Sequence, residues 1–329
     1  MFRLEGRALP RTMRAAVIAG PREIRIETLP LPEPADGQVR IRLEGCGVCH
    51  SNLPVWEGRD RFHYPLPPGN PGHEGWGRVD AVGRNVRGLD EGQRVAFLSS
   101  KAYADYDVVP QQVVVPLPPT LDEQPFPGEP LGCAMNIFRR SEVRAGQTVA
   151  VVGVGFLGAL LCRLAAHAGA RVIAIARRPF AQEVARRFGA HLVLPMEDRQ
   201  ALVERVREIT EGRLCRRVIE CVGAQSPLDL AGELTAERGK LVIAGFHQDG
   251  PRQVNLFLWN WRGLDVVNAH ERDPAIYVDG IRMAVDAVTS GTIDPRPLYT
   301  HDFPLERIGE AFEAVRTRPD GFLKALLRT

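Results

Sequence analysis

Three side chains with the chemistry of metal ligands stand close together in the first quarter of the sequence. Cys49 opens a Cys-His-Ser run, and His73 and Glu74 follow it after 24 residues. Thiolate, imidazole and carboxylate are the ligand types of a catalytic zinc site that keeps one position open. Each residue also has an ordinary interpretation, as a small buried thiol, a loop histidine and a surface acid. Cys46 and Cys49 also form a Cys-x-x-Cys pair, but no second signature supports redox chemistry.

A second feature with clear chemistry is the glycine-rich stretch from Gly153 to Gly158, which reads Gly-Val-Gly-Phe-Leu-Gly. It follows a predicted strand and opens a predicted helix, so the pattern is typical of a dinucleotide site rather than of a ligand-free turn. Gly153 permits the tight turn, Gly155 lets the backbone approach a pyrophosphate, and Gly158 lets helix and strand pack closely. Phe156 and Leu157 begin the helix, whose N–H groups would face the phosphates.

The residues after the next strand indicate which dinucleotide is bound. Proteins that bind NAD place Asp or Glu about 20 residues beyond the loop, where it binds the ribose hydroxyls. Here Ala176 stands 18 residues after Gly158, and Arg177 and Arg178 follow it. No carboxylate would repel a 2′-phosphate, and guanidinium groups bind phosphate well. We therefore expect NADP(H) to be preferred over NAD(H); the alternative is a solvated loop in an arginine-rich chain.

The elements that position these residues change in type near residue 130. Before it, short β-rich pieces alternate with Pro- and Gly-rich turns, which predicts an all-β, barrel-like unit. Its predicted strands are Met13–Ile18, Glu23–Thr28, Gln38–Glu44, Gly77–Val82, Arg94–Leu98 and Gln112–Val115. After residue 145 apolar strands alternate with helices, which predicts a parallel, doubly wound α/β sheet. Its predicted strands are Thr148–Val152, Arg171–Ala176, His191–Leu194, Arg217–Cys221, Lys240–Ala244 and Gly263–Asn268.

Helices are predicted between these strands and in the polar tail. They are Phe156–Ala168, Phe180–Phe188, Gln200–Thr210, Gly280–Thr289 and Arg307–Arg316. We expect the tail to return to the first domain rather than to extend the parallel sheet. The predicted domains are therefore residues 1–129 with 269–329, and residues 130–268. Residues 1–12 precede the first predicted strand as an extension to which no role is assigned.

Length and composition exclude several classes of protein. With 329 residues the chain has room for two domains. Its 42 basic and 40 acidic residues leave a net charge of +2, which argues against a dedicated nucleic-acid binder. The longest uncharged apolar run, residues 148–162, is too short to span a bilayer, and no signal peptide is visible. Six scattered cysteines are typical of a reducing compartment. We expect a cytoplasmic protein with no nucleic-acid or membrane partner.

Taken together, these motifs resemble the medium-chain dehydrogenase/reductase superfamily, and within it the zinc-dependent alcohol and polyol dehydrogenases. The segment from Gly47 to Ser51 is similar to the family's first ligand segment, and residues 72–77, Gly-His-Glu-Gly-Trp-Gly, to its second. Residues 129–131, Glu-Pro-Leu, are similar to the third-ligand segment of the polyol branch. The resemblance runs from Met13 over nearly the whole chain. It implies a GroES-like β-rich catalytic domain and a Rossmann dinucleotide-binding domain.

The resemblance also implies a ligand set for the metal. Cys49 and His73 would bind zinc, and Glu129, 24 residues before Gly153, is preferred to Cys133 as the third protein ligand. Cys133 would then lie near the nicotinamide ring. Glu74 would either bind the zinc part of the time or support the ligands without binding the zinc itself. Water is the alternative fourth ligand. No cysteine lies between His73 and Glu129, so the four-cysteine lobe of a structural zinc is missing and one zinc per chain is expected.

The remaining roles follow from matched positions. Ser51 matches the hydroxyl that passes on the substrate's proton, and His50 and Lys324 match positions with a cationic contact to the pyrophosphate. Two positions depart from the family. Pro54 stands where a histidine often ends the proton relay, and Asn52 stands where an aspartate usually tunes the zinc.

The function implied is hydride transfer between NADP(H) and a primary or secondary alcohol or polyol, or its aldehyde or ketone. One alternative is a zinc-independent, NADPH-dependent enoyl or quinone reductase of the same fold. Another is a non-catalytic dinucleotide-binding protein, which only the incomplete relay favours. The expected partners are a small alcohol or carbonyl substrate and further copies of the chain, as a homodimer or homotetramer.

Overall fold

The computed structural model describes residues 11–59 and 62–329, so most of the predicted N-terminal extension lies outside the described residues. Contacts divide the described chain into two compact units. The first contains the described residues up to Pro127 together with His301–Thr317 and Ala325–Thr329. The second contains Gly128–Thr300 and Arg318–Lys324.

The described residues form the following strands and α-helices. The strands are β1 (Thr12–Gly20), β2 (Glu23–Pro30), β3 (Gln38–Val48), β4 (Glu74–Val82), β5 (Arg94–Phe97), β6 (Tyr106–Pro110), β7 (Val114–Pro116), β8 (Thr148–Val152), β9 (Arg171–Ala176), β10 (Leu192–Pro195), β11 (Cys215–Glu220), β12 (Thr235–Ile243), β13 (Asp265–Asn268), β14 (Tyr299–Pro304) and β15 (Lys324–Arg328). The helices are α1 (Leu53–Glu57), α2 (Gly128–Ser141), α3 (Phe156–His167), α4 (Pro179–Arg187), α5 (Arg199–Ile209), α6 (Gln225–Leu234), α7 (Leu256–Arg262), α8 (Pro274–Thr289) and α9 (Ile308–Thr317). Within the described ranges, none of these helices is long and apolar enough to cross a membrane.

The β-rich region before residue 130 is confirmed. β1 and β2 form an antiparallel hairpin, and β3 is the centre of a sheet with the order β14-β15-β3-β4-β5-β7. β6, which the sequence did not predict, also pairs antiparallel with β3. It was missed because its five residues alternate poorly and end at a proline, so its pairing with β3 rather than its own pattern makes it a strand.

The doubly wound parallel sheet is also confirmed, with the strand order β10-β9-β8-β11-β12-β13. The chain runs outward from β8 to β10 and then returns to β11, so the order reverses between β8 and β11. The central strands are apolar throughout because both faces of a doubly wound sheet are covered. Val151, Ile173 and Val218, for example, are fully buried. A reversal of this kind is where α/β sheets bind ligands, at the carboxyl ends of the strands.

The tail divides between the units differently from the predicted boundaries at residues 129 and 269. The predicted helix Gly280–Thr289 is longer, as α8, and it packs in the second unit against α2, which the sequence did not predict. A Cβ atom on Gly132 of α2 would lie 2.8 Å from the backbone nitrogen of Ile281, and one on Gly280 of α8 would lie 2.7 Å from the Gly132 oxygen. Asn136 Nδ2 also donates to the Ile276 carbonyl at 3.0 Å. The packing of α8 against α2, which the local sequence pattern does not indicate, therefore keeps residues 274–289 in the second unit.

Candidate functional site

The metal-ligand side chains near residues 49 and 73 lie together in the first unit. β3 and β4 pair antiparallel with Gly47 opposite Glu74, so Cys49, just after β3, comes close to His73, just before β4. The candidate ligand atoms of Cys49, His73 and Glu74 all lie within 4.8 Å of one another. Two ligand atoms on one tetrahedral zinc ion are about 3.5 Å apart, so small side-chain adjustments would suffice to bind the ion. Glu74 is fully buried.

A backbone carbonyl determines which nitrogen of His73 can bind a metal. His73 Nδ1 lies 2.9 Å from the Pro71 carbonyl oxygen. Because a carbonyl oxygen can only accept, Nδ1 carries the proton, and the neutral ring keeps its lone pair on Nε2. Zinc-binding histidines commonly have such a partner, which fixes the ring and makes the ligating nitrogen more basic. The side chains present therefore fit a zinc ion.

Asn52 connects the two ligand segments, a role that the sequence pattern did not reveal. Its side chain is 3% exposed and donates from Nδ2 to the Tyr103 hydroxyl oxygen at 2.7 Å and to the Pro71 carbonyl at 3.3 Å. Pro71 thus accepts from both Asn52 and His73. Burial, and then the negative charges nearby, raise the pKa of Tyr103 well above its usual value, so the phenol stays neutral.

Ser51 lies beside the candidate ligand sulfur. It belongs to a 3₁₀ turn, His50–Asn52, directly after Cys49, and its Oγ donates to Cys49 Sγ at 3.1 Å. His50 in the same turn is exposed. The turn leads into α1, whose first helical positions include Pro54. Ser51 is therefore placed at the edge of the ligand cluster, as a residue that exchanges a proton with a bound substrate must be.

The two alternatives for a further ligand lie in the second unit. Glu129 is in the first turn of α2, and Cys133 follows one helical turn later. Cys133 Sγ donates to Glu129 Oε1 at 3.2 Å. Burial, followed by the nearby charges of Cys133 and Glu129, strongly raises the pKa of Tyr277, which also bonds to Cys133. These three side chains form one hydrogen-bonded group.

The glycine loop has the geometry that a dinucleotide requires. Gly153 follows β8 with a φ of +94°, and a Cβ atom there would lie 2.3 Å from Val222 Cγ2. A Cβ atom on Gly158 would lie 2.1 Å from the Gly153 carbonyl oxygen, so only glycine lets α3 pack this closely. At Gly155, by contrast, nothing lies within 4 Å of that position. Open backbone at Gly155, directly before Phe156 and α3, fits an approaching pyrophosphate.

A buried lysine reinforces the positive charge at this helix N-terminus. Lys324 is 5% exposed, and its Nζ lies 5.3 Å from the ring centroid of Phe156, the first residue of α3. Tyr299 also stacks on that ring, with a centroid distance of 6.0 Å. An ammonium group and the positive end of a helix repel each other, and an anion bound between them would offset that repulsion, so this region is electrostatically suited to a phosphate.

The end of β9 has the arginines that the sequence placed there. Ala176 is buried, Arg177 is exposed, and Arg178 precedes α4. Arg178 Nη1 donates to the Phe322 carbonyl at 2.8 Å, so one of its nitrogens has a structural partner. Burial, and then the positive charge of Arg177, lower the pKa of Arg178. Repulsion between these guanidinium groups would be relieved by a bound anion.

Sequence reasoning missed a polar network at the carboxyl end of β11. Glu220 is fully buried, and its Oε1 accepts from the backbone N–H groups of Val222 and Gly223 at 2.6 and 2.8 Å. Arg252 Nε donates to His247 Nδ1 at 2.8 Å, so the His247 proton is on Nε2, which donates to Glu220 at 3.0 Å. Because Val222 lies against Gly153, the network fixes the wall of the glycine loop. Glu220 is distant in the sequence from His247 and Arg252, so no local motif indicates that they form a network.

Comparison with known proteins finds similarity to dehydrogenases along most of the chain. A family model of zinc-binding dehydrogenases matches residues 157–283, and one of the alcohol dehydrogenase GroES-like domain matches residues 35–119. The chain is 28% identical to sorbitol dehydrogenase of Homo sapiens over 336 residues, which covers 91% of this chain and 92% of that protein. It is 26% identical to sorbitol dehydrogenase of Bacillus subtilis over 351 residues, covering 97% and 98%.

The fold has solved counterparts as well. The crystal structure of 2R,3R-butanediol dehydrogenase from Bacillus subtilis matches with a TM-score of 0.84 and 24% identity, covering 96% of this chain and 99% of that chain. At this identity the similarity shows a shared fold and nothing about the substrate.

Proposed function

Because the chain belongs to the zinc-dependent medium-chain dehydrogenase/reductase superfamily, we propose that it oxidises an alcohol or polyol, reversibly, with NADP(H) as the hydride carrier. The observation that carries the proposal is the cluster of Cys49, His73 and Glu74, whose ligand atoms lie within 4.8 Å of one another. A reductase that works without zinc has no use for such a cluster. Cys49, His73 and Glu74 belong to the first unit, and the glycine loop belongs to the second.

The residues of this chain divide the chemistry between them. Cys49 and His73 would hold zinc, Glu129 is the further protein ligand that the sequence resemblance suggests, and Glu74 or water would complete the set. Zinc, when bound, acts as a Lewis acid that favours loss of the alcohol's proton. Ser51 Oγ would accept that proton and release it outward. With Pro54 in place of a relay histidine, the proton would leave through water or the cofactor ribose.

The cofactor would lie along the carboxyl ends of the parallel strands. Backbone N–H groups at Phe156 and Leu157, together with Lys324 and His50, would bind the pyrophosphate, and Cys133 would lie near the nicotinamide. Arg177 and Arg178 would bind the 2′-phosphate. A charge-assisted hydrogen bond to phosphate contributes roughly 1.5–3 kcal/mol, which corresponds to a preference of about tenfold or more.

The test is a panel of secondary alcohols and polyols assayed with NADP⁺ and NAD⁺ on protein of known zinc content. We expect turnover in the zinc-loaded protein with kcat/KM at least about tenfold higher for NADP⁺. Arg177→Ala and Arg178→Ala should each reduce that ratio, and added salt should reduce it too because these arginines are near solvent. Arg177→Ala is the cleaner variant, since Arg178 also holds the Phe322 carbonyl.

Three outcomes would contradict parts of the proposal. No turnover of any alcohol by zinc-loaded protein would refute the dehydrogenase activity. Equal efficiency with both cofactors in the wild type would refute the NADP preference alone. An unchanged ratio in both variants would show that the arginines face solvent without binding phosphate.

A second copy of the chain is the proposed partner of one exposed apolar surface. On α7, Phe257 and Trp261 are 80% and 81% exposed and stack on each other at 6.3 Å. β13, the next strand, is an edge strand of the parallel sheet that the described residues form, and its Val266 is exposed. An open edge strand can pair antiparallel with its own copy across a two-fold axis, and the stacked rings would then be covered.

The oligomer proposal predicts a solution mass of twice or four times 36.4 kDa by light scattering. Trp261→Glu combined with Phe257→Glu should shift the mass toward that of the monomer, because burying two carboxylates in an apolar interface is costly. Val82→Glu, at an exposed valine of the first unit, is the matched control and should leave the mass unchanged. A monomeric wild type, or a double variant of wild-type mass, would refute this interface.

A further inference from the structure

The segment after α9 is attached to the end of β9 within the second unit. The chain leaves the helix at Thr317, and Arg318 adopts a left-handed φ of +48°. A turn then forms, with Phe322 N donating to the Pro319 carbonyl at 3.0 Å. Arg178 Nη1 donates to the carbonyl of the same Phe322 at 2.8 Å. The turn therefore brings Arg318 into the neighbourhood of the two arginines that follow β9.

Positive charge accumulates where these segments meet. Desolvation, and then the charges of Arg178 and Arg177, lower the pKa of Arg318. Asp320 is an acid close to Arg178: its charge raises the pKa of Arg178, and its Oδ1 accepts the Gly321 N–H at 3.0 Å. Among these four described side chains, three guanidinium groups and one carboxylate carry a net positive charge. Crowded like charges cost free energy, and a dianionic ligand would offset that cost.

We propose that Arg318 is a third arginine of the 2′-phosphate site, so that the turn after α9 forms one side of the adenosine pocket. The inference rests on the proposed preference for NADP(H), and it goes beyond that preference because Arg318 is distant in sequence from the β9 end. Phosphate has three oxygens that accept bonds from guanidinium groups in different directions. Arg177, Arg178 and Arg318 approach from two separate chain segments, which suits such an anion better than two consecutive residues do. Asp320 moderates the affinity by its opposite charge.

The test uses cofactor fragments without nicotinamide, so that its outcome depends neither on zinc nor on turnover. Calorimetric titration compares 2′,5′-ADP, which carries the 2′-phosphate, with 5′-AMP, which lacks it. Arg318→Gln should weaken 2′,5′-ADP binding by about tenfold, or about 1.4 kcal/mol, and leave 5′-AMP binding unchanged. Arg318→Lys should lose less, because it keeps the charge but not the fork of donors. Asp320→Asn should tighten 2′,5′-ADP binding.

Arg316→Gln is the matched control. Arg316 is an arginine two residues earlier whose Nε is bonded to Glu313 at 3.0 Å, and its replacement should change neither affinity. If Arg318→Gln binds 2′,5′-ADP like the wild type, or weakens both fragments equally, the inference is overturned while the NADP preference stands. If the wild type binds 2′,5′-ADP no better than 5′-AMP, both the cofactor preference and the inference are refuted. The proposed dehydrogenase activity is not tested by this result.

Discussion

Cys49→Ala should remove zinc and turnover together. Cys49 supplies the only sulfur ligand among the three candidate donors of the cluster. Without the metal several kcal/mol of transition-state stabilisation are lost, so we expect kcat/KM to fall by about 10³-fold or more. Elemental analysis should find one zinc per chain in the wild type and almost none in the variant.

The fold of the Cys49→Ala variant should survive, because the site is catalytic rather than structural. Its thermal midpoint should be compared with that of zinc-free wild type, since bound metal itself stabilises the native state. Cys46→Ala is the matched control: Cys46 is fully buried in β3, three residues earlier, and its variant should keep zinc and activity. Zinc retained in Cys49→Ala, or two zinc ions per wild-type chain, would disprove the assignment.

Ser51→Ala is expected to slow alcohol oxidation by about 10²-fold or more while the zinc content stays at the wild-type level. The hydroxyl lies next to the cluster, 3.1 Å from Cys49 Sγ, and positioned proton transfer typically contributes a factor of this size. The measurement is kcat for oxidation, together with metal analysis of the same preparation.

Ser51→Thr tests whether the hydroxyl itself is what Ser51→Ala loses. It keeps a hydroxyl on the same carbon, so it should retain most of the activity that Ser51→Ala loses. A Ser51→Ala enzyme with wild-type turnover would mean that this hydroxyl carries no proton. Loss of zinc in Ser51→Ala would mean instead that the bond to Cys49 serves metal binding.

Local sequence patterns predicted the features that depend on few neighbouring residues. The glycine loop is an example, because the steric reason for Gly153 and Gly158 is contained within one strand, one turn and one helix. β9 was also predicted with its bounds, since the unbroken apolar run of residues 172–176 lies between Arg171 and Arg177. The Cys49 and His73 segments were predicted to be ligand segments from their residue types and order, and the structure brings the two side chains close together.

What the sequence could not indicate depends on residues that are distant in the chain. Asn52 meets Pro71 because the register of β3 and β4 brings their ends together, and it meets Tyr103 across 51 residues of sequence. Arg318 comes near the end of β9 because Arg178 Nη1 donates to the Phe322 carbonyl across 144 residues of sequence. Such pairings are decided by tertiary packing, which overrides local preference and leaves no periodic trace.

The contact between α2 and α8 has a consequence for how this protein can change over evolutionary time. Gly132 and Gly280 each occupy the space that a methyl group on the other helix would need. An alanine at either position would push the helices apart and disturb the Asn136 bond to Ile276, at a cost typical of overpacking, about 1–3 kcal/mol. A lineage would escape that cost only by changing both helices together. We therefore expect the two positions to vary as one inherited unit, and grafting α8 from a relative to succeed only when α2 accompanies it.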